Sequence, residues 1–292
     1  MTAMTGFLHH GGPPAPSPEE MVAIARILHE EAGIVLHPSK SSMVQSRLAK
    51  RLRKLSLDGY GDYIALVNTA DGQDERRRMI SALTTNVSHF FREAHHFDLL
   101  RSTVLPPLIE RAKAGGRVRL WSAGCSNGQE PWSMTMVIRD LLPEAHRFDL
   151  RILATDIDPE VLARAERGVY PAGALEGLDA GLVARHFRRD PDGHGICDEA
   201  RALLRFRELN LHGPWPMRGT FDVIFCRNVV IYFDAPAQAR LWHRFAGALA
   251  PGGTLCVGHS ERVPVAPTLP FVTAGITSYR RTEAPLPRRE DH

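Results

Sequence analysis

The stretch Val118-Arg119-Leu120-Trp121-Ser122-Ala123-Gly124-Cys125-Ser126-Asn127-Gly128-Gln129-Glu130-Pro131 decides how this chain is read. An alternating, partly apolar run enters a turn that carries two glycines. Met134, Val137, Ile138, Leu141 and Leu142 then recur at helical spacing, and Pro131 suits a first helical position. A strand, a glycine turn and a helix start form the unit with which an open α/β sheet builds a ligand crevice at the carboxyl ends of its strands.

Three ligand chemistries compete for that turn. Gly124 to Gly128 spells G-x-S-x-G, the strand-to-helix elbow that exposes a hydrolase nucleophile, here Ser126. It does not spell G-x-G-x-x-G, so a dinucleotide pyrophosphate is poorly served. A nucleoside joined to an amino acid, such as S-adenosylmethionine, has no phosphate but still needs close approach of the backbone. The next strand, expected over Phe148 to Ala154, bears on the choice. Asp156 follows it at the carboxyl end, where an acid accepts hydrogen bonds from ribose hydroxyls. A hydrolase has no use for an acid there, and it needs sheet before its elbow, whereas the first hundred residues read mostly as helix. The serine esterase therefore stands as the lesser alternative.

A chain of 292 residues is long enough for one main domain and a smaller one. Its net charge of +3 is too small to argue for nucleic acid. Cys125, Cys197, Cys226 and Cys256 lie far apart without metal-ligand spacing, which fits thiols in a reducing cytoplasm. No signal peptide is expected, and no apolar run reaches the length of a membrane span.

Along the chain, residues 1–16 and 282–292 are expected to be disordered tails, residues 17–90 a helical domain and residues 91–281 the sheet domain. Ser17-Pro18-Glu19-Glu20 is a helix start with a capping box, and Gly33 ends that helix. The run Met43 to Leu55 puts Leu48, Leu52 and Leu55 on one face and Arg47, Lys50, Arg51, Arg53 and Lys54 on the rest, with no acid among them. It is either a solvated face or a docking surface for an acidic partner. Further helices are expected over Tyr60 to Asn68 and Asp74 to Leu83. Thr84 to Glu93 is dense in polar and aromatic residues and suits a loop over the crevice, with Phe90 and Phe91 as anchors. His89, His95 and His96 lack a supporting carboxylate pattern, and no metal is expected. Asp158 reads as a helix N-cap. Residues 171–206 read as a small insertion with a hairpin, and Leu209-Asn210-Leu211 as the resumed sheet edge. Phe221 to Asn228 is a buried strand that turns polar at its carboxyl end, Thr254 to Val257 another, and Phe271 to Arg280 a closing one. Gly258-His259-Ser260-Glu261 cannot form a triad of its own, because neighbours on a strand point to opposite faces.

Thr85 to Glu93, Trp121 to Pro131, Ala154 to Asp158, Phe221 to Asp234, Leu249 to Gly253 and Gly258 to Glu261 together resemble the motifs of the CheR-type chemotaxis receptor methyltransferases, in order, over about residues 17 to 281. The resemblance implies a Rossmann-like S-adenosylmethionine-dependent methyltransferase sheet with a small N-terminal helical domain and a small β insertion. It implies esterification of glutamate side chains on the cytoplasmic helices of chemoreceptors, by a cytoplasmic protein with no nucleic-acid partner and no membrane insertion. Asn86, Ser88, Arg92, Glu130, Asp156, Asn210, Leu211, Arg227 and Asn228 would contact the cofactor, with Ser88 standing where many members carry threonine. Arg92 and Tyr232 would orient the substrate carboxylate, and Arg47, Lys50, Arg51, Arg53 and Lys54 would meet the receptor. Some members grip a receptor's C-terminal peptide with a longer hairpin; the tip at Arg189 to Cys197 resembles the shorter type.

Overall fold

The computed structural model describes residues 15–84, 86–264 and 266–283. The expected tails therefore fall almost wholly outside the described residues. The chain divides into two compact units between Thr84 and Thr85.

The first unit holds four helices: α1 (Pro18–Ala32), α2 (Ser41–Leu55), α3 (Tyr60–Val67) and α4 (Gln73–Leu83). Ser17 and Glu20 form the reciprocal capping box, and Gly33 closes α1 in the left-handed region that glycine enters without a Cβ penalty. Val44, Leu48 and Leu52 of α2 are buried, as are Met79, Ile80 and Leu83 of α4. A polar cluster sits among them. Glu75 of α4 receives a bidentate fork from Arg51 of α2 and a hydrogen bond of 2.9 Å from the Tyr63 hydroxyl of α3. Burial and the nearby carboxylate push the Tyr63 hydroxyl far above its ordinary pKa, which keeps it a donor.

This cluster changes the reading of α2. Arg51 is spent on Glu75, and Arg47 donates to the carbonyls of Ala82, Leu83 and Thr84 at the end of α4, where helix carbonyls lack partners of their own. Two of the five basic residues expected on a docking surface are thus turned inward; Lys50, Arg53 and Lys54 are exposed.

The second unit opens with α5 (His95–Leu99) and α6 (Leu105–Lys113), joined by one π-helical turn over Leu100–Val104. Alternation then begins: β1 (Val118–Ala123), α7 (Gln129–Leu141), β2 (Leu150–Asp156) and α8 (Pro159–Arg167). A small sheet follows, of β3 (Val169–Tyr170), then α9 (Ala180–His186), β4 (Phe187–Asp190) and β5 (Gly193–Ile196). After α10 (Asp198–Arg201) come β6 (Leu204–Glu208), β7 (Phe221–Cys226), α11 (Ala235–Ala248), β8 (Leu249–Val257), β9 (Phe271–Gly275) and β10 (Ser278–Arg281). The main sheet has the order β6-β2-β1-β7-β8-β10-β9, with β10 antiparallel to β8 and to β9 and the other pairings parallel. The order reverses between β1 and β7, so the crevice of such a sheet opens at their carboxyl ends. Both faces are covered: Val118 and Leu120 belong to one apolar cluster, Trp121 and Ala123 to the other.

Four details depart from expectation. The second strand begins at Leu150, after a single 3-10 turn at Ala145–Arg147, and reaches Asp156 itself. The sheet edge is Leu204–Glu208, not Leu209 to Leu211: Leu204 and Phe206 are buried while Arg205 and Arg207 are exposed, the period of a strand with one covered face. The insertion therefore yields its last residues to the main sheet. β8 starts at Leu249, and its register with β7 jumps between Phe221 and Val223 to pass Pro251-Gly252-Gly253. The closing run is a hairpin rather than one strand, turning at Ile276-Thr277.

Removing Glu75 strands the Arg51 guanidinium and the Tyr63 hydroxyl. Glu75→Ala should cost about 3 kcal/mol in urea unfolding of the full chain, whereas Arg53→Ala on the exposed side should change it by less than about 0.5 kcal/mol.

Candidate functional site

The crevice is built from the first loop upward. Gly124 and Gly128 both have positive φ, 84° and 87°. A Cβ on Gly124 would stand 2.4 Å from Val229 Cγ2, and one on Gly128 2.8 Å from Ala165, so these turns admit glycine alone. Ser126, between them, also has positive φ; so do Phe91, Glu93 and Asn228. Four of the six described non-glycine residues in that region thus gather at the carboxyl ends of β1 and β7 or on the segment joined to them. Backbone strain of this kind persists where the surroundings enforce it and concentrates at working sites.

One group of contacts surrounds the end of β2. The Asp156 carboxylate accepts from the N–H of Ser126 at 2.8 Å and of Asp158 at 3.1 Å. Burial pushes its pKa up to about 6 against those hydrogen bonds, so it is largely ionised at neutral pH, at a cost to the folded state. Asp158 caps α8 by accepting from Glu160 and Val161. Asn86 joins the group, donating to Asp158 at 3.0 Å while its carbonyl accepts from the Ser126 hydroxyl and the Asn127 amide. Ser126 therefore donates to a backbone oxygen, and among the described residues no histidine hydrogen-bonds it, as an esterase would require.

A second group surrounds Arg227, just past β7. Its guanidinium lies 3.6 Å from Glu93 and 3.4 Å from Glu130, and it donates to the carbonyl of Arg92. The rings of Phe97 and Phe225 lie 5.6 and 5.7 Å from its central carbon. Glu130, second residue of α7, also accepts from Ser122 at 2.6 Å, yet burial outweighs Arg227 and that hydrogen bond and raises its pKa. For Glu93 the balance reverses. Burial pushes its carboxyl up, but Arg227 and hydrogen bonds from His259 and Asn228 hold it below the usual range. His96, fully buried beside them, is pushed down to about 4 by burial and by Arg227, and stays neutral. Glu93, His95 and His96 each place a ligand-type atom within 4.8 Å of the others, but the Arg227 guanidinium already supplies the cation for Glu93.

The structure thus links Asn86 and Asp156 in one network, and Arg92 (through its carbonyl), Glu130, Arg227 and Asn228 in the other. Ser88 is half-buried. Arg92 is half-buried too, with one guanidinium nitrogen donating to Val87 at 3.0 Å. Asn210 and Leu211 follow the carboxyl end of β6, and Tyr232 closes the 3-10 turn Val230–Tyr232 after β7. Phe90 anchors its segment between Tyr170 and Phe187, and Phe91 packs on Phe97. Two members of the network were not singled out by sequence. Glu93 ends a motif whose other residues drew attention, and Glu261, whose carboxylate accepts from the N–H of Asn228 at 3.0 Å, sits in a block read as a nucleophile cluster and as one motif of the resemblance, with no role given to the acid itself.

Residues 19–84 match the family model described as CheR methyltransferase, all-alpha domain, and residues 86–279 the one described as CheR methyltransferase, SAM binding domain. A probable chemotaxis protein methyltransferase of Rhizobium etli is 47% identical over 267 residues, 90% of this chain and all of that one. The chemotaxis protein methyltransferase of Klebsiella aerogenes is 41% identical over 82% of this chain and 81% of its own. That of Escherichia coli is 39% identical over 82% of each.

The charge network makes a stability prediction. Arg227→Leu would leave two carboxylates facing each other without their cation and should cost about 3 to 5 kcal/mol in urea unfolding. Adding Glu93→Gln should return part of that loss, a coupling that a double-mutant cycle reads directly.

Proposed function

The chain belongs to the CheR methyltransferase family, and on that premise we propose that it transfers a methyl group to glutamate side chains on the cytoplasmic helices of chemoreceptors, within the cytoplasm. It is an S-adenosylmethionine-dependent methyltransferase of chemotaxis by that membership. The described helices include none long and apolar enough to cross a membrane.

The residues fit the cofactor's chemistry. A ribose diol offers donors, and Asp156 is a buried carboxylate whose described partners are backbone N–H groups. An amino-acid end carries both charges, and Glu130 and Arg227 present both signs side by side. In this reading Asp156 holds the sugar, Glu130 and Arg227 with Asn228 hold the amino-acid end, and Asn86, Ser88, Arg92, Asn210 and Leu211 complete the lining. The cofactor supplies an electrophilic methyl group on a positively charged sulfur.

The observation that carries the glutamate assignment is the disposition of Arg92. Among the described residues its guanidinium has one hydrogen-bond partner, the Val87 carbonyl, and the remaining donors stand available to a carboxylate. A glutamate side chain has an ordinary pKa of about 4.3 and is already the nucleophile at neutral pH, so no general base is needed. The protein's task is positioning, with the carboxylate oxygen in line with the methyl carbon at about 3 Å. Arg92 and Tyr232 orient that carboxylate. A tight bidentate grip would favour the charged ground state over a transition state in which charge is being neutralised, so a single skewed contact from Arg92 serves the rate better.

The test supplies tritiated S-adenosylmethionine with receptor cytoplasmic fragments and, separately, nucleic acid. Base-labile label on the receptor, released as methanol, is the expected outcome, and Arg92→Ala should lower that transfer by more than about tenfold. Label on nucleic acid, or cofactor binding without transfer, would contradict the assignment.

The receptor contact proposed for α2 now rests on Lys50, Arg53 and Lys54, since Arg47 and Arg51 serve the helical unit itself. Reversing those three to glutamate should raise the KM for receptor by about tenfold at low salt and leave cofactor affinity unchanged. An unchanged KM would return the helix to the role of a solvated face.

A further inference from the structure

Glu261 lies in the turn after β8 and is 4% exposed. One carboxylate oxygen accepts from the backbone N–H of Val229 at 2.9 Å, Val230 at 2.7 Å and Ile231 at 3.2 Å. The other accepts from the N–H of Asn228 at 3.0 Å and of Gly258. Five peptide groups converge on one acid, and among the described residues no cationic side chain pairs with it. Successive N–H groups arranged this way form an anion-binding concavity; here the anion is supplied by the protein.

We infer that Glu261 is a positioning residue for methyl transfer: it folds the Asn228–Tyr232 loop into the shape that presents Asn228 to the cofactor and Tyr232 to the substrate. The inference rests on the reading of those two residues given above. Asn228 is held at a φ of 60°, which an asparagine tolerates but does not choose, and the turn ends at Tyr232, whose N–H donates to Val229 at 3.2 Å. Without the carboxylate, four consecutive N–H groups lose their acceptor in a turn that is half-buried at Asn228 and Val229 and buried at Val230, and the loop must rearrange to find others. Gly258 allows the close approach: a Cβ there would stand 2.6 Å from the Asn228 backbone nitrogen and 2.9 Å from Glu261 itself. β7 and β8 are neighbours in the sheet, so the acid stitches two adjacent strand ends together at the rim of the crevice.

Glu261→Gln preserves volume but turns an amide group toward N–H donors. Assayed with receptor fragments, its kcat per cofactor-binding site should fall by about tenfold or more while the KM for receptor stays within about twofold. Formate added to Glu261→Ala should restore part of the lost rate by entering the same concavity. The inference is overturned if Glu261→Gln turns over like the parent, if its loss vanishes once rates are divided by the concentration of cofactor-binding sites, or if formate leaves Glu261→Ala unchanged. Asn228→Ala and Tyr232→Phe are run alongside. Parent-like turnover in those two would remove the underlying reading of the loop, whereas their impairment beside an active Glu261→Gln would remove only the role of Glu261.

Discussion

The Arg227 guanidinium, placed between the carboxylates of Glu93 and Glu130, is the interaction on which the architecture of the crevice depends. Two acids that are about nine-tenths buried cannot stand near each other without a cation, because desolvation and mutual repulsion both oppose their charge. Arg227 meets that need and, through the carbonyl of Arg92, also fixes the segment that precedes α5. Glu93, once held, collects Asn228 and His259. Four parts of the sequence, lying near residues 93, 130, 228 and 259, therefore meet around the Arg227–Glu93 pair. The neutral state of His96 belongs to the same balance, since a further positive charge beside Arg227 would be repelled.

Much of this was legible in the residues before any fold was known. The run from Val118 to Pro131 announced strand, glycine turn and helix, and the two glycines stand where a Cβ would collide. Asp156 and Asp158, two residues apart, were told apart by position: one ends a strand, the other caps a helix, and the hydrogen bonds follow that division. The helical unit was readable because its capping box and leucine spacing are local signals. Family resemblance, and not periodicity, supplied the remaining cofactor candidates and the identity of the ligand.

What the sequence concealed was mostly long-range pairing. Arg51 looks like any member of a basic face until Glu75, twenty-four positions away, is brought opposite it. The edge strand at Leu204–Glu208 was mistaken for the end of an insertion because its exposed arginines dilute the apolar pattern. The closing hairpin lacked a glycine-asparagine signal, its positive φ falling on Thr277. Glu261 was hidden for a different reason: its partners are peptide N–H groups, which every residue carries and which no sequence motif displays.

The central claim is that the crevice at the carboxyl ends of β1, β2 and β7 holds the cofactor by its two unlike ends. A crystal structure of the full chain with S-adenosylhomocysteine tests it most directly. The account predicts the ribose hydroxyls within hydrogen-bonding reach of Asp156 and the amino-acid end beside Glu130 and Arg227. A nucleoside bound elsewhere, or one lying in the crevice with its sugar away from Asp156, would contradict it.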